Sequence, residues 1–291
     1  MDNATVNVNG RISDGNSAVV PVFDHGFLFG EGIYETLRTY NRRPFLLDRH
    51  FRRLRASAAA IDLVVPLTDP QFAARIDETV AAANGSTEWY VRLLVTRGVG
   101  ALSYDPDGCP EPTVVIIVMP YTELQTTLFA RGIAIVRSSI IRNHPRALDP
   151  RIKSNNLLNN ALAMQEALRK GAREALMRNH RGEISECAQS NFFLVRRGEA
   201  LTPSLDSGLL EGVTRNFLFE VGRAVGVPVR EAVLTDADLE TADEMFITST
   251  TRGVLPVTLL DGEPVGAGRP GPVTRTLADG FRRQALELTA R

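Results

Sequence analysis

Lysine is scarce in this sequence of 291 residues: of 33 basic residues only Lys153 and Lys170 carry a primary amine, and the rest are arginines. Chemistry that needs a lysine amine therefore has two candidates. The two cysteines, Cys109 and Cys187, lie far apart and form no CxxC pair, which excludes a zinc ribbon and a disulfide framework. The four histidines show neither HExxH nor HxH spacing, so no metal site is expected. The longest uninterrupted apolar run, Val114 to Met119, is far too short to cross a bilayer. The opening MDNATVNVNG lacks a basic-then-apolar signal pattern, so a cytoplasmic protein without membrane attachment is the expectation. A net charge of -1 leaves no polycationic surface for nucleic acid beyond the short His50–Arg55 cluster. There is no GxxxxGK[ST] phosphate loop. Gly30-Glu31-Gly32 and Gly98-Val99-Gly100 lack the third glycine of a dinucleotide fingerprint.

What is present is enough apolar residue, 44%, for one large or two ordinary domains. Asn9-Gly10 predicts a type I′ hairpin turn after a strand at Thr5 to Val8. Ile33 to Tyr40 reads as a strand, and Asp48 as the N-cap of a helix with a Phe51, Leu54, Ala58 and Ile61 stripe. A helix from about Pro70 to Asn84 precedes strands at Trp89 to Thr96 and Thr113 to Met119. The pattern weakens over 121–132, which places a domain junction there, with domains at 1–120 and 133–291. Beyond it come a helix over Asn156 to Lys170, a strand over Ile184 to Val195 and a helix over Val213 to Val225. Further strands at Glu244 to Thr248 and Val254 to Leu260 lead to a C-terminal helix from about Pro272. Strands without strict βα alternation give an α+β class.

Lys170 ends a helix, where a cation suits the exposed carbonyls. Lys153, between a loop and a helix, has no such role; in an arginine-preferring chain it is either a required amine or a surface residue, and only lysine can attack a carbonyl. The strand at Trp89 puts Trp89, Val91, Leu93 and Val95 on one apolar face and Tyr90 and Arg92 on the other, toward a polar cavity or solvent. Tyr34, Thr36 and Arg38 repeat that arrangement. Glu186 shares a face with Ile184 and Ala188, so it needs a cationic or hydrogen-bonding partner unless it sits at an edge open to water. Glu211-Gly212-Val213-Thr214-Arg215 opens a helix whose free N–H groups suit a phosphate, and Thr248-Ser249-Thr250-Thr251 ends a strand with four hydroxyls; both also read as ordinary caps and turns.

In order, these segments resemble the fold-type IV pyridoxal 5'-phosphate (PLP) enzymes, which include branched-chain aminotransferases, D-amino-acid aminotransferases and aminodeoxychorismate lyases. The similarity runs from Phe29-Gly30-Glu31-Gly32-Ile33-Tyr34-Glu35 to Gly271-Pro272-Val273-Thr274, and is most specific over Glu183 to Asn191 and Leu210 to Arg215. The resemblance implies a small N-terminal α/β domain and a larger PLP-binding domain with a β-barrel-like sheet. It implies that Lys153 is the catalytic lysine, holding PLP as a Schiff base and moving the proton, and that Glu186 faces the pyridine nitrogen. It implies that Arg53 binds the phosphate, with Val213, Thr214, Ser249 and Thr250, that Leu210 packs on the ring, and that Asn191 belongs to the cofactor site. Without the resemblance Arg53 reads as a solvated helix residue. The family pattern also implies a homodimer, and substrates that are amino acids and 2-oxo acids exchanged by a ping-pong transamination.

For the substrate, Tyr34, Arg92 and Thr251 are the implied contacts. Tyr90-Val91-Arg92 resembles the Tyr-x-Arg strand of branched-chain enzymes, and Leu102 and Tyr104 stand where D-amino-acid enzymes carry Arg-x-His. Leu158, in place of a tyrosine, is closer to the D-specific group, and Arg252 is either a second carboxylate site or a solvent-facing residue. A branched-chain or hydrophobic L-amino acid is the expected substrate, with a D-amino acid and the lyase reaction as alternatives.

Overall fold

The computed structural model describes residues 3–123 and 126–290, so the expected junction at 121–132 falls partly outside the described residues, at 124 and 125. Two compact units emerge. The first takes the chain up to Thr122 together with Ile152–Asn156; the second takes Glu123–Arg151 and Leu157–Thr289.

The first unit contains β1 (Thr5–Val8), β2 (Arg11–Asp14), α1 (His25–Leu28), β3 (Gly32–Tyr40), β4 (Arg43–Pro44), α2 (Leu47–Ala59), α3 (Asp69–Ala82), β5 (Trp89–Thr96) and β6 (Thr113–Pro120). The strands form an antiparallel sheet in the order β2-β1-β6-β5-β3-β4. Asn9 and Gly10 take φ of 50° and 93°, the positive pair that a type I′ turn needs. The expected alternation of β5 is present: Trp89, Val91, Leu93 and Val95 are buried against α2 and α3, in one cluster with Ile33, Leu37, Phe51, Leu54, Phe72 and Ile76. Its other face is half-buried at Tyr90, Arg92 and Leu94 rather than open to solvent. Asp48 is not the cap of α2. Leu46 precedes the helix at φ 52° with no side-chain cap bond, and Asp48 lies in the first turn, where a carboxylate suits the helix dipole.

Ile152–Asn156 joins this unit by pairing with the start of β3. Tyr34 N–H donates to the Lys153 carbonyl at 2.9 Å and Asn155 N–H to the Gly32 carbonyl at 2.8 Å, around an antiparallel bridge of Ile33 to Ser154. A Cβ on Gly32 would lie 2.5 Å from Asn155 Nδ2 and 3.0 Å from the Val95 carbonyl oxygen, so a side chain there would push the Asn155 amide aside and crowd the β5 backbone. The expected helix over Asn156 to Lys170 consequently begins two residues later, at Leu158.

The second unit contains α4 (Thr126–Arg131), β7 (Ile133–Arg137), α5 (Leu158–Arg169), β8 (Glu174–Arg178), β9 (Ile184–Cys187), β10 (Asn191–Arg196), β11 (Glu199–Pro203), α6 (Val213–Val225), β12 (Val229–Ala232), α7 (Asp236–Glu240), β13 (Glu244–Ser249), β14 (Gly253–Leu260), β15 (Glu263–Pro264) and α8 (Pro272–Thr289). Its sheet runs β12-β11-β10-β13-β14-β7-β8-β9, with β15 beside β14. Parallel and antiparallel pairs mix, β7 lying parallel to both β14 and β8, so strands and helices share the unit without strict βα alternation. One face buries Ile135, Leu176, Phe192, Leu194, Met245, Ile247 and Val257. On the helix side, Phe193 stacks on Phe246 at 4.7 Å, and Phe217 of α6 meets Phe281 of α8 edge-on. The single strand expected over Ile184 to Val195 is two, because the chain turns at 188–190 with Cys187 N–H donating to the Ser190 carbonyl.

Candidate active site

In the first unit, α2 and β3 converge on Glu35, which is 0% exposed. Arg53 grips it with two parallel bonds, Nε to Oε1 and Nη2 to Oε2, both at 2.8 Å, and His50 Nδ1 lies 2.7 Å from Oε2. Burial alone would raise the Glu35 pKa, but the charge and bonds of Arg53, with His50, outweigh it and hold the carboxyl well below its usual range. Burial pushes His50 below its ordinary value against the pull of Glu35, so its ring is neutral at pH 7 and donates from Nδ1. Arg53 is thus no solvated helix residue: the Nε–Nη2 edge of its fork is fixed by Glu35, and its side chain is 12% exposed.

One helical turn further along α2, Ser57 is buried, and its Oγ accepts the Lys153 N–H at 3.1 Å. The Lys153 backbone is therefore held by both α2 and β3. Its ammonium lies 4.4 Å from the centre of the Tyr34 ring, and the Arg92 guanidinium 4.1 Å from the same ring. Among the described residues no carboxylate pairs with either cation. Lys170, by contrast, is bound by Glu166 at 2.7 Å. Leu102 and Tyr104 are 72% and 80% exposed, with the Tyr104 ring against Phe29.

In the second unit, Glu186 takes the partnered of its two expected positions: it is buried, and its partner is Arg142, Nε to Oε1 at 2.8 Å. The other oxygen accepts from Asn191 Nδ2 at 3.3 Å and from Leu210 N–H at 3.2 Å, and Asn191 also donates to the Leu210 carbonyl. The structure thus brings Glu186, Asn191 and Leu210 together immediately before α6. That helix opens on Gly212, which has no side-chain cap bond, followed by buried Val213 and Thr214. Its first N–H groups have no acceptor within the helix and suit an anion. A Cβ on Gly212 would lie 1.9 Å from Asn191 Oδ1, so only glycine lets the helix start beside that amide. Ser249 ends β13, and Thr250, Thr251 and Arg252 make the turn into β14, where Gly253 takes φ 60°. Neither role weighed for Arg252 matches its position. It reaches inward to Glu174, at 2.7 Å, because that carboxylate is 0% exposed and needs a cation. Beside these groups Cys187 is buried, and burial, with Glu174 and Glu186, lifts its thiol well above the ordinary value, so it is no nucleophile.

Glu35, His50, Ser57, Arg142 and Glu174 were not singled out from the sequence. Glu35 carried a usable signal, since it shares the apolar face of Ile33 and Leu37; the others depend on contacts distant in sequence. No group of three or more His, Cys, Asp or Glu residues able to hold a metal occurs among the described residues, and no helix among them is long and apolar enough to cross a membrane.

The model of the family "Amino-transferase class IV" matches residues 32–260. The chain belongs to the class IV aminotransferases. A D-alanine aminotransferase of Listeria innocua is 39% identical to this aminotransferase over 277 residues, 94% of this chain and 93% of that protein. The branched-chain aminotransferase of Thermoproteus uzoniensis, solved with norvaline, superposes with a TM-score of 0.90 at 31% identity, covering 97% of this chain and 95% of its own. That of Escherichia coli gives 0.92 at 30% identity, covering 98% and 95%. The class IV aminotransferase is a PLP-dependent transaminase of the fold-type IV architecture. Its own residues fit that cofactor. In the first unit Lys153 is an amine with no carboxylate paired to it; in the second, α6 opens on Gly212 with no side-chain cap, and Glu186 is a buried carboxylate.

Proposed function

We propose that this aminotransferase moves the amino group of a branched-chain or hydrophobic L-amino acid to a 2-oxo acid such as 2-oxoglutarate. The observation that carries the reading is the pair of uncompensated cations, Lys153 and Arg92, on the Tyr34 ring. Lys153 is the amine that binds PLP and shuttles the proton, and Arg92 is suited to a substrate carboxylate, with Tyr34 and the Thr251 N–H as further contacts. Arg53, Val213, Thr214, Ser249 and Thr250 hold the phosphate; Glu186 holds the ring nitrogen, with Asn191 and Leu210 keeping that carboxylate in place. Bound PLP supplies an electron sink for the charge left when the substrate Cα–H is broken.

Residues 1–120 act as the smaller domain, which Ile152–Asn156 joins, and the rest of 133–291 as the larger domain. Val19, Val22, Phe23 and Phe27, between 51% and 76% exposed, form an apolar stretch of the first unit that a second copy of the chain would cover, which supports a homodimer. Sedimentation of the purified protein tests that point, a monomer counting against it.

The D-amino-acid reading is favoured by the Listeria relative. Single half-reactions separate the two: the visible absorbance of the loaded enzyme is followed on adding L-leucine or D-alanine. Bleaching by L-leucine is expected. Bleaching by D-alanine alone would overturn the proposal in favour of the second reading, and no bleaching by any amino acid would overturn both.

A further inference from the structure

We propose that Arg252 is a positioning residue that clasps the Ser249–Gly253 turn to the buried Glu174, and that the grip of this turn on a phosphate depends on the clasp. This deepens the reading above and rests on its assignment of Ser249 and Thr250 to the phosphate.

The turn is closed locally, with Arg252 N–H donating to Ser249 Oγ at 3.2 Å. It is fixed globally by the guanidinium, whose Nη1 donates to Glu174 Oε2 at 2.7 Å and Nη2 to Gln189 Oε1 at 3.0 Å. Glu174 is wholly buried at the start of β8. Its Oε2 also accepts from Ser190 Oγ at 3.0 Å, and its Oε1 from Ala175 N–H at 3.2 Å. One carboxylate therefore ties together the β8 start, the connection between β9 and β10, and the turn between β13 and β14.

A charge removed from water holds its counter-ion far more tightly than an exposed one does. Arg252 is therefore committed to Glu174 and is not available to grip a substrate carboxylate. The gain lies in its backbone. Thr250 and Thr251 sit between Ser249, bound to the Arg252 N–H, and Arg252, bound to Glu174 and Gln189, so the backbone that carries their N–H groups is held at its C-terminal end. The Gln189–Ser190 connection runs directly into Asn191, which bonds Glu186. The same clasp thus sets the phosphate-side turn and the entry to the ring-nitrogen side within a single unit.

The test compares PLP with pyridoxal, the same ring without the phosphate, titrated into cofactor-free protein. Arg252→Ala leaves Glu174 buried without its cation and is expected to fold poorly. Glu174→Gln with Arg252→Met removes both charges together and keeps the measurement possible. Both are expected to weaken PLP about tenfold or more, the equivalent of one impaired hydrogen bond to a charged group, while pyridoxal changes less than about threefold. Arg252→Lys, which keeps the cation but not the fork, is expected to fall between. An unchanged ratio of the two affinities in the double variant overturns the clasp, as does an equal loss for both ligands. Thr250→Ala separates the underlying assignment. If it leaves the ratio unchanged, the phosphate reading of the turn fails and the clasp with it. If it lowers the ratio and the double variant does not, only the clasp fails.

Discussion

Replacing Arg53 with methionine keeps the aliphatic stem on α2 but removes the charge that answers Glu35. The carboxylate is 0% exposed, and it would keep only the neutral His50, at 2.7 Å. Breaking a buried pair from one side costs about 3–5 kcal/mol, because the remaining charge stays out of water. The Arg53 side chain is 12% exposed, so some water reaches its place and the lower end applies. At about 2–4 °C for each kcal/mol in a chain of this size, ~3 kcal/mol lowers Tm by about 6–12 °C. The measurement belongs on cofactor-free protein, so that the proposed phosphate role of Arg53 does not enter. The pH dependence gives a second handle. In the native protein the Glu35 pKa lies below its unfolded value, so its stabilisation is present above about pH 4.3 and is lost as pH falls through the depressed value. In Arg53→Met burial is unopposed by the guanidinium and the pKa rises above the unfolded value. The penalty of the variant is then full above that raised pKa and shrinks as pH falls through it. The gap between the two proteins should narrow from pH 7 toward pH 4, and adding Glu35→Gln should recover most of the loss. A difference under about 0.5 kcal/mol at pH 7, no more than an ordinary surface substitution gives, or a gap that widens toward acid, would refute the reasoning.

Three further outcomes are expected. Lys153→Ala should abolish transamination and the visible absorbance of the loaded protein, and normal turnover would remove the lysine from the mechanism. Gly212→Ala brings a Cβ to 1.9 Å from Asn191 Oδ1 and should cost about 1–3 kcal/mol in a urea melt while weakening PLP; an unchanged midpoint would mean that the α6 start is more pliable than its packing implies. Glu186→Gln, measured by steady-state kinetics, should lower kcat by about 10²–10³-fold, the range for one preorganised electrostatic contact, with KM nearly unchanged. A fall in kcat/KM carried by KM alone would reassign Glu186 to substrate binding.

Much of this arrangement could be read from short-range pattern. The apolar odd positions of β5 and the helix Val213–Val225 appear where periodicity puts them, since neither depends on a distant partner. The apolar face of Glu186 raised the question of a partner, but the choice between a buried pair and an edge open to water was made by Arg142, 44 positions earlier. The same rule applied to Glu35 would have asked for a partner there, because Ile33 and Leu37 flank it on the same side of β3, without naming Arg53. Arg252 could not be read this way, as its partner lies 78 positions earlier and the choice between water and a buried carboxylate leaves no local mark. Arg38 is a similar case: instead of facing a cavity or solvent with Tyr34, it is buried between the rings of Tyr40 and Tyr121, each within 4 Å. The helix start at Leu47 was missed because Leu46 enters with a positive φ, which no residue preference for leucine signals.

The pairing of Ile152–Asn156 with β3 also bears on the order in which the protein is made. The sheet of the first unit is complete in sequence at Pro120, yet the segment that carries Lys153 follows the whole stretch from Glu123 to Arg151. At about 5–20 residues per second on the ribosome, the roughly 34 residues beyond Thr122 take about 2–7 s to emerge. During that interval the nascent chain can already hold the Arg53–Glu35 pair while the edge of β3 at Gly32–Tyr34 stays open. Lys153 is therefore added to a framework that has had time to form without it, and chains interrupted before residue 152 would carry the Arg53–Glu35 pair but no lysine at all.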